Sequence, residues 1–266
     1  MTGYNRLAPW CAKVYLGGIH LRFACGGVGG DGQPHDLPYE QVESCLVVAE
    51  GIAVPVGVEL VGWNAVTSGV ATVEAKVFAP DGREVARVRR DVGYVKGAFA
   101  EVKLPPVALK DPELWRLEKP QLYRVVATVS RNGVATDTAE RRFGIRRIEF
   151  SKDFGFRLNG HKVFLKGMAN HQHLGSLGEA SYPRAWKRQL ALMKEFGYNA
   201  IRCAHNPYPK VLLDLCDEMG VLVVDELVDK WRGSWTGRRP FIELAPVLVR
   251  EWVCRGRTHP CVVLWS

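Results

Sequence analysis

Three short polar clusters follow apolar runs in the C-terminal half of the chain, and they hold the side chains best suited to chemistry. The first is Asn170-His171-Gln172-His173, the second Arg202 with His205, Asn206 and Tyr208, and the third Asp225-Glu226 with Asp229 and Trp231. His171-Gln172-His173 has the spacing of an H-x-H pair in a metal-dependent barrel hydrolase, with both imidazoles on one side of a strand. A closed metal site would also need His, Asp or Lys ligands from later strands, which the sequence does not supply. Asp225 and Glu226 offer carboxylates, but adjacent residues of an extended strand point to opposite sides. They are therefore not by themselves an acid and nucleophile pair, and one of them is expected to anchor the strand end by hydrogen bonds. A single His at a strand end is usually a capping or core residue. Three strand ends that all turn polar point to a site.

The elements that must position these clusters alternate between strand and helix. Residues 156–165 read as a hairpin with an Asn159-Gly160 turn. Trp186, Leu190, Met193 and Phe196 recur at helical spacing, with Pro183 early in the segment and Gly197 placed to stop it. A buried strand at 199–203 follows. Val211, Leu212, Leu215, Cys216 and Met219 mark a second helix ended by Gly220, and Val221 to Val224 form a strand apolar on both faces, as parallel sheets require. Residues 241–254 read as a third helix despite Pro246, and residues 261–265 as another buried strand. Strands near Leu165, Ile201, Val223 and Val263 thus alternate with helices, an order that builds either an open doubly wound sheet or a (β/α)8 TIM barrel, here about half of one. A full barrel takes about 250 residues, and reactive groups sit at the carboxyl ends of its strands.

Residues 44–150 read differently. Short alternating or β-branched runs at 54–63, 70–78, 84–90, 98–104 and 122–130 are separated by turn signals such as Asp81-Gly82 and Asn132-Gly133. About seven short strands in this span predict an immunoglobulin-like β-sandwich, without the Cys–Trp–Cys pattern of antibody domains. A G-x-G-x-x-G match at Gly27 to Gly32 runs into Pro34 and Pro38, so it reads as a loop and not as a dinucleotide turn.

Composition bounds the rest. The chain has 266 residues, 47% hydrophobic and 24% charged, which describes a folded chain of one or two domains. No apolar run of about 18 residues predicts a membrane span, and residues 1–15 do not read as a signal peptide. Seven cysteines without a C-x-x-C motif read as reduced thiols, hence a cytoplasmic setting. The net charge of +8 is spread along alternating strands, and no nucleic-acid partner is expected.

These residues resemble a family. Residues 199–226 (NAIRCAHNPYPKVLLDLCDEMGVLVVDE) resemble the first signature of glycoside hydrolase family 2, the β-galactosidase and β-glucuronidase family, and the final THPCVVLWS resembles the start of its second. The runs 115–123, 142–146 and 165–167 match its sandwich-to-barrel passage, and DELVDKW at 225–231 is most similar to bacterial β-galactosidase types. The resemblance implies a retaining hydrolase of β-glycosides. Residues 1–43 would be a remnant of a sugar-binding jelly roll or a linker, 44–150 the sandwich as a structural spacer, and 151–266 the first half of the barrel. His171 and His205 would contact the sugar beside Asn206, Arg202 would steady the nucleophile, Asp225 and Glu226 match the family's DE pair as supporting residues, and Trp231 would be a sugar platform. The family's acid/base Glu is expected just after Ser266 and its nucleophile further on, so the 266 residues are expected to bind sugar without turnover. Thr258 stands where the family usually has Asn, and no magnesium-ligand pattern follows Glu226. No cofactor is expected within the chain, although a divalent or monovalent metal in the full enzyme is compatible with the family. Self-association through open barrel edges is expected as well. The alternatives are a non-catalytic carbohydrate-binding or assembly module, or a metal-dependent barrel hydrolase using His171 and His173.

Overall fold

The computed structural model describes residues 11–16, 46–48, 51–54, 56–61, 69–94, 99–227 and 241–266. The glycine-rich 27–32 segment and Trp231 lie outside the described residues. In chain order the strands of the first half are β1 (Cys11–Leu16), β2 (Leu46–Val48), β3 (Gly51–Val54), β4 (Val56–Val61), β5 (Gly69–Phe78), β6 (Glu84–Tyr94), β7 (Phe99–Lys103), β8 (Val107–Leu109), β9 (Tyr123–Arg131) and β10 (Val134–Phe143). They pair antiparallel in three sheets, β2-β3-β8, β1-β4-β7 and β10-β9-β5-β6.

The period of two in β5 and β9 dictates one buried face per strand. Ala71, Val73, Ala75 and Val77 of β5 and Tyr123, Val125, Ala127 and Val129 of β9 all point inward. They share a core with Val102, Leu104, Val107 and Leu109 from the facing segments. This is the sandwich that the alternation predicts.

A three-stranded meander follows, β11 (Ile148–Ser151), β12 (Gly155–Leu158) and β13 (His161–Lys162). Its turn falls at Asn159-Gly160, both at positive φ (53° and 79°), the conformation that tight hairpins reserve for this dipeptide. The remaining elements alternate: β14 (Gly167–His171), α1 (Pro183–Glu195), β15 (Ala200–Ala204), α2 (Lys210–Met219), β16 (Leu222–Asp225), α3 (Phe241–Gly256) and β17 (Val262–Trp265). The four strands form one parallel sheet in chain order, with Ala169, Arg202, Val224 and Leu264 in register across it. One face is a core: Ile201, Cys203, Val223 and Val262 pack with Leu190 and Met193 of α1 and Leu212, Leu213 and Cys216 of α2. The fold is therefore a sandwich followed by an open, four-stranded portion of a TIM barrel. Among the described residues no helix is long and apolar enough to cross a membrane.

Two local expectations shift. The first barrel strand begins at Gly167, beyond Leu165, because Asn199 takes over the preceding backbone. Its Oδ1 accepts from Lys166 N at 2.8 Å and its Nδ2 donates to Phe164 O at 2.9 Å. Phe196 keeps helical spacing but falls one residue past α1 and is 78% exposed, so it is not part of the core.

The sandwich does more than space the domains. Trp115, fully buried, donates Nε1–H to Asp217 O at 2.8 Å. Arg142 of β10 pairs with Glu218, and Arg146 donates to the carbonyls of Pro260 and Val262. Gly220 ends α2 in the left-handed region (φ 66°), and a Cβ there would lie 2.1 Å from Leu117 O. Glycine is thus required both by conformation and by close approach. These contacts brace α2 and the approach to β17, and so the sheet whose far end carries the polar clusters.

Candidate functional site

Parallel pairing puts the carboxyl ends of β14, β15 and β16 side by side, and the three polar clusters meet there. The His171 and His205 rings lie 5.3 Å apart, edge to face at 71°. Arg202 projects from the sheet face opposite the helices, its side chain 46% exposed, and its Nε–H donates to Glu226 Oε1 at 2.5 Å. Glu226 Oε2 lies 3.2 Å from His205 Nδ1, and the side chain is only 10% exposed. Asn206 Nδ2 donates to Gln172 Oε1 at 3.0 Å. His171, Gln172, Arg202, His205, Asn206 and Glu226 therefore form one cluster drawn from three strand ends. The Ala204–His205 peptide within it is cis.

Asp225 faces the other way, as strand alternation requires. It is fully buried and accepts the Trp252 indole N–H from α3 at 2.6 Å, with Arg255 Nη2 at 3.9 Å. Burial pushes its carboxyl above the usual carboxylate range, with the Trp252 hydrogen bond opposing. Asp225 is thus the anchor of the pair and Glu226 the member that faces the cluster.

Behind the cluster stands a polar strut. Asn170 is buried, its side-chain oxygen accepting from Gln189 of α1 at 3.2 Å. Buried Tyr208 donates its hydroxyl to Asn170 O and also lies within reach of Ala204 O at 3.3 Å. Burial pushes that phenol up, so it stays a protonated donor. One hydroxyl thereby ties the ends of β14 and β15 together, which fixes the spacing of the two histidines. Tyr208 supports the site and does not line it. Gln172, Gln189 and Trp252 carry no role in the sequence reading beyond Gln172's place in the first cluster. Their partners are distant in sequence, so no local pattern marks them.

His173 is exposed, and its backbone N–H turns back to His171 O. Neither residue belongs to the one group among the described residues whose His, Cys and carboxylate atoms are close enough to share a metal ion. That group is buried Asp217, His259 and Cys261, with ligand atoms within 4.8 Å. Its members are already hydrogen-bonded to one another: Asp217 Oδ2 contacts His259 Nδ1 at 2.5 Å and Oδ1 accepts from Cys261 N at 3.0 Å. Burial drives the Cys261 thiol well up, so it stays protonated toward Leu213 O. This is a hydrogen-bonded clasp between α2 and the segment before β17.

Retaining glycoside hydrolysis uses two carboxyl groups about 5–5.5 Å apart. Among the described residues, the cluster holds one carboxylate facing the open side, Glu226, and both its oxygens are engaged.

Comparison with known proteins identifies the family. Residues 53–146 match the model described as glycosyl hydrolases family 2, and residues 150–266 match that family's TIM barrel domain. The β-galactosidase BoGH2A of Bacteroides ovatus is 38% identical over 203 residues, covering 75% of this chain and 24% of that protein. A β-glucuronidase of Bacteroides fragilis is 30% identical over 202 residues, covering 73% and 29%. A crystal structure of a family 2 member from Bacteroides cellulosilyticus superposes with a TM-score of 0.73 at 34% identity, covering 84% of this chain and 30% of that one. The chain spans 16–27% of the length of the first five curated relatives it matches. Sandwich and barrel portions match one family in the order in which they fold, and the chain belongs to glycosyl hydrolase family 2.

Proposed function

We propose that this chain is part of a β-galactosidase-type glycoside hydrolase and supplies one wall of its first sugar subsite. Residues 44–150 are the sandwich and residues 151–266 the first half of the catalytic barrel, with residues 1–43 a remnant of a jelly roll or a linker. His171, His205 and Asn206 contact sugar hydroxyls, Trp231 offers a stacking platform, and Arg202 steadies the nucleophile from the barrel interior. Asp225 and Glu226 support the third strand end. The observation that carries the reading is the meeting of His171, Arg202, His205 and Asn206 at one sheet end, with the polar strut behind them. Relatives that share these segments are named for β-galactoside and β-glucuronide hydrolysis, so the partner is a β-glycoside carbohydrate. The described cysteines Cys203, Cys216, Cys254 and Cys261 are free, which supports a cytoplasmic setting. The open edges at β14 and β17 favour self-association of the isolated chain.

The acid/base and nucleophile carboxylates are assigned to residues outside these 266. The 266-residue chain is therefore expected to show no turnover of nitrophenyl β-galactoside or β-glucuronide above background. Turnover that co-purifies with the chain and disappears in His205→Ala would overturn that assignment and point to Glu226 as a catalyst.

A further inference from the structure

Glu226 uses both of its carboxylate oxygens, and they serve different partners. Oε1 takes Arg202 Nε–H and Oε2 lies 3.2 Å from His205 Nδ1. His205 Nδ1 also lies 3.4 Å from Arg202 Nη2, so two hydrogen-bonding patterns compete for this one ring atom. The guanidinium stays charged and can only donate, and the carboxylate beside it can only accept. An unprotonated Nδ1 would accept a hydrogen bond from Arg202 Nη2 but would set its lone pair against the closer carboxylate oxygen. A protonated Nδ1 satisfies that oxygen, which belongs to a side chain only 10% exposed. The other groups facing His205 among the described residues are His171 from β14 and Arg202 from its own strand. Neither offers Nδ1 an acceptor at shorter range.

We infer that Glu226 is a positioning residue that fixes the His205 proton on Nδ1, which leaves Nε2 as the ring atom free to meet a sugar hydroxyl. The same carboxylate holds Arg202 through Nε, so the terminal nitrogens of the guanidinium remain for a second anion. The role toward sugar rests on the reading given under Proposed function. The proton assignment itself stands on the geometry alone.

The test is imidazole NMR on the intact 266-residue chain, using long-range nitrogen–proton correlations to read the tautomers of His171 and His205. The wild-type chain is expected to show His205 as the Nδ1–H tautomer when neutral. In Glu226→Ala the closer acceptor is gone, and His205 is expected to lose its preference for the Nδ1–H tautomer. His171, whose ring is not bonded to Glu226, should keep its tautomer. An Nε2–H tautomer in the wild-type chain, or an unchanged His205 tautomer in a folded Glu226→Ala variant, would overturn the inference. Should the variant not fold, the wild-type tautomer decides the question. Because no sugar is present, this result is independent of whether the subsite binds one.

Discussion

Replacing Trp115 with Phe probes the brace between sandwich and sheet, and its cost follows from one helix end. The last four carbonyls of α2 have no partners within the helix. Gly220 N–H closes onto Cys216 O, Lys194 Nζ reaches Met219 O, and Trp115 Nε1 covers Asp217 O at 2.8 Å. Phe keeps most of the apolar ring but strips the donor, leaving a buried carbonyl unpaired at a cost of about 1–3 kcal/mol. Trp115→Ala removes the ring as well, and large-to-small changes of this kind cost about 3–5 kcal/mol. At about 4 °C per kcal/mol for a unit of this size, the Phe variant should melt about 4–12 °C lower by circular dichroism. Hydrogen exchange locates the loss: protection should fall in α2 and β17 while β5 and β9, whose core does not include Trp115, keep theirs. A Phe variant within about 0.5 kcal/mol of wild type, or one that loses protection equally in β5 and β9, would refute the bracing argument.

Two further outcomes follow from buried groups. Burial holds the Asp225 carboxyl above its usual range, so its protonated form favours folding; that contribution is full below the unfolded value of about 3.9 and is lost as pH rises through the folded pKa. Urea unfolding of Asp225→Asn against wild type should therefore show the wild-type chain losing ground as pH climbs from about 4, and a constant difference across pH would contradict the shift. Gly220→Ala combines left-handed strain with a Cβ 2.1 Å from Leu117 O, so a cost of about 2–5 kcal/mol is expected in the same assay; a change below about 0.5 kcal/mol would mean that the 115–120 segment moves freely away from α2.

Much of this architecture is written in local pattern. Period-two alternation marks β5 and β9, Asn159-Gly160 marks the hairpin, and Gly220 marks the end of α2, because each reports a constraint felt within a few residues. The strand ends were legible for the same reason, since apolar runs that stop at His171, Ala204 and Asp225 announce where a parallel sheet opens. What local pattern cannot carry is the choice of distant partner. Trp115 and Asp217 are 102 residues apart, and Asp217 and His259 are 42 apart. Nothing in the immediate neighbourhood of Asp217 distinguishes a buried clasp from a helix-surface carboxylate. Glu226 shows the same limit: alternation separates it from Asp225, but only the packed sheet sets Arg202 and His205 on its two oxygens. Phe196 is the reverse case, a residue with the right period that the helix does not reach.

The central claim is that the meeting of His171, His205 and Asn206 is a sugar subsite, and sugar titration monitored by NMR tests it most directly. Methyl β-galactoside and methyl β-glucuronide added separately to the 266-residue chain should shift the His171 and His205 ring signals and the Asn206 side-chain amide saturably. Those shifts should vanish in His205→Ala, while signals from the β5 and β9 core stay still. Shifts that grow linearly without saturation, or saturable shifts confined to residues away from the β14, β15 and β16 ends, would contradict the assignment of this cluster to carbohydrate.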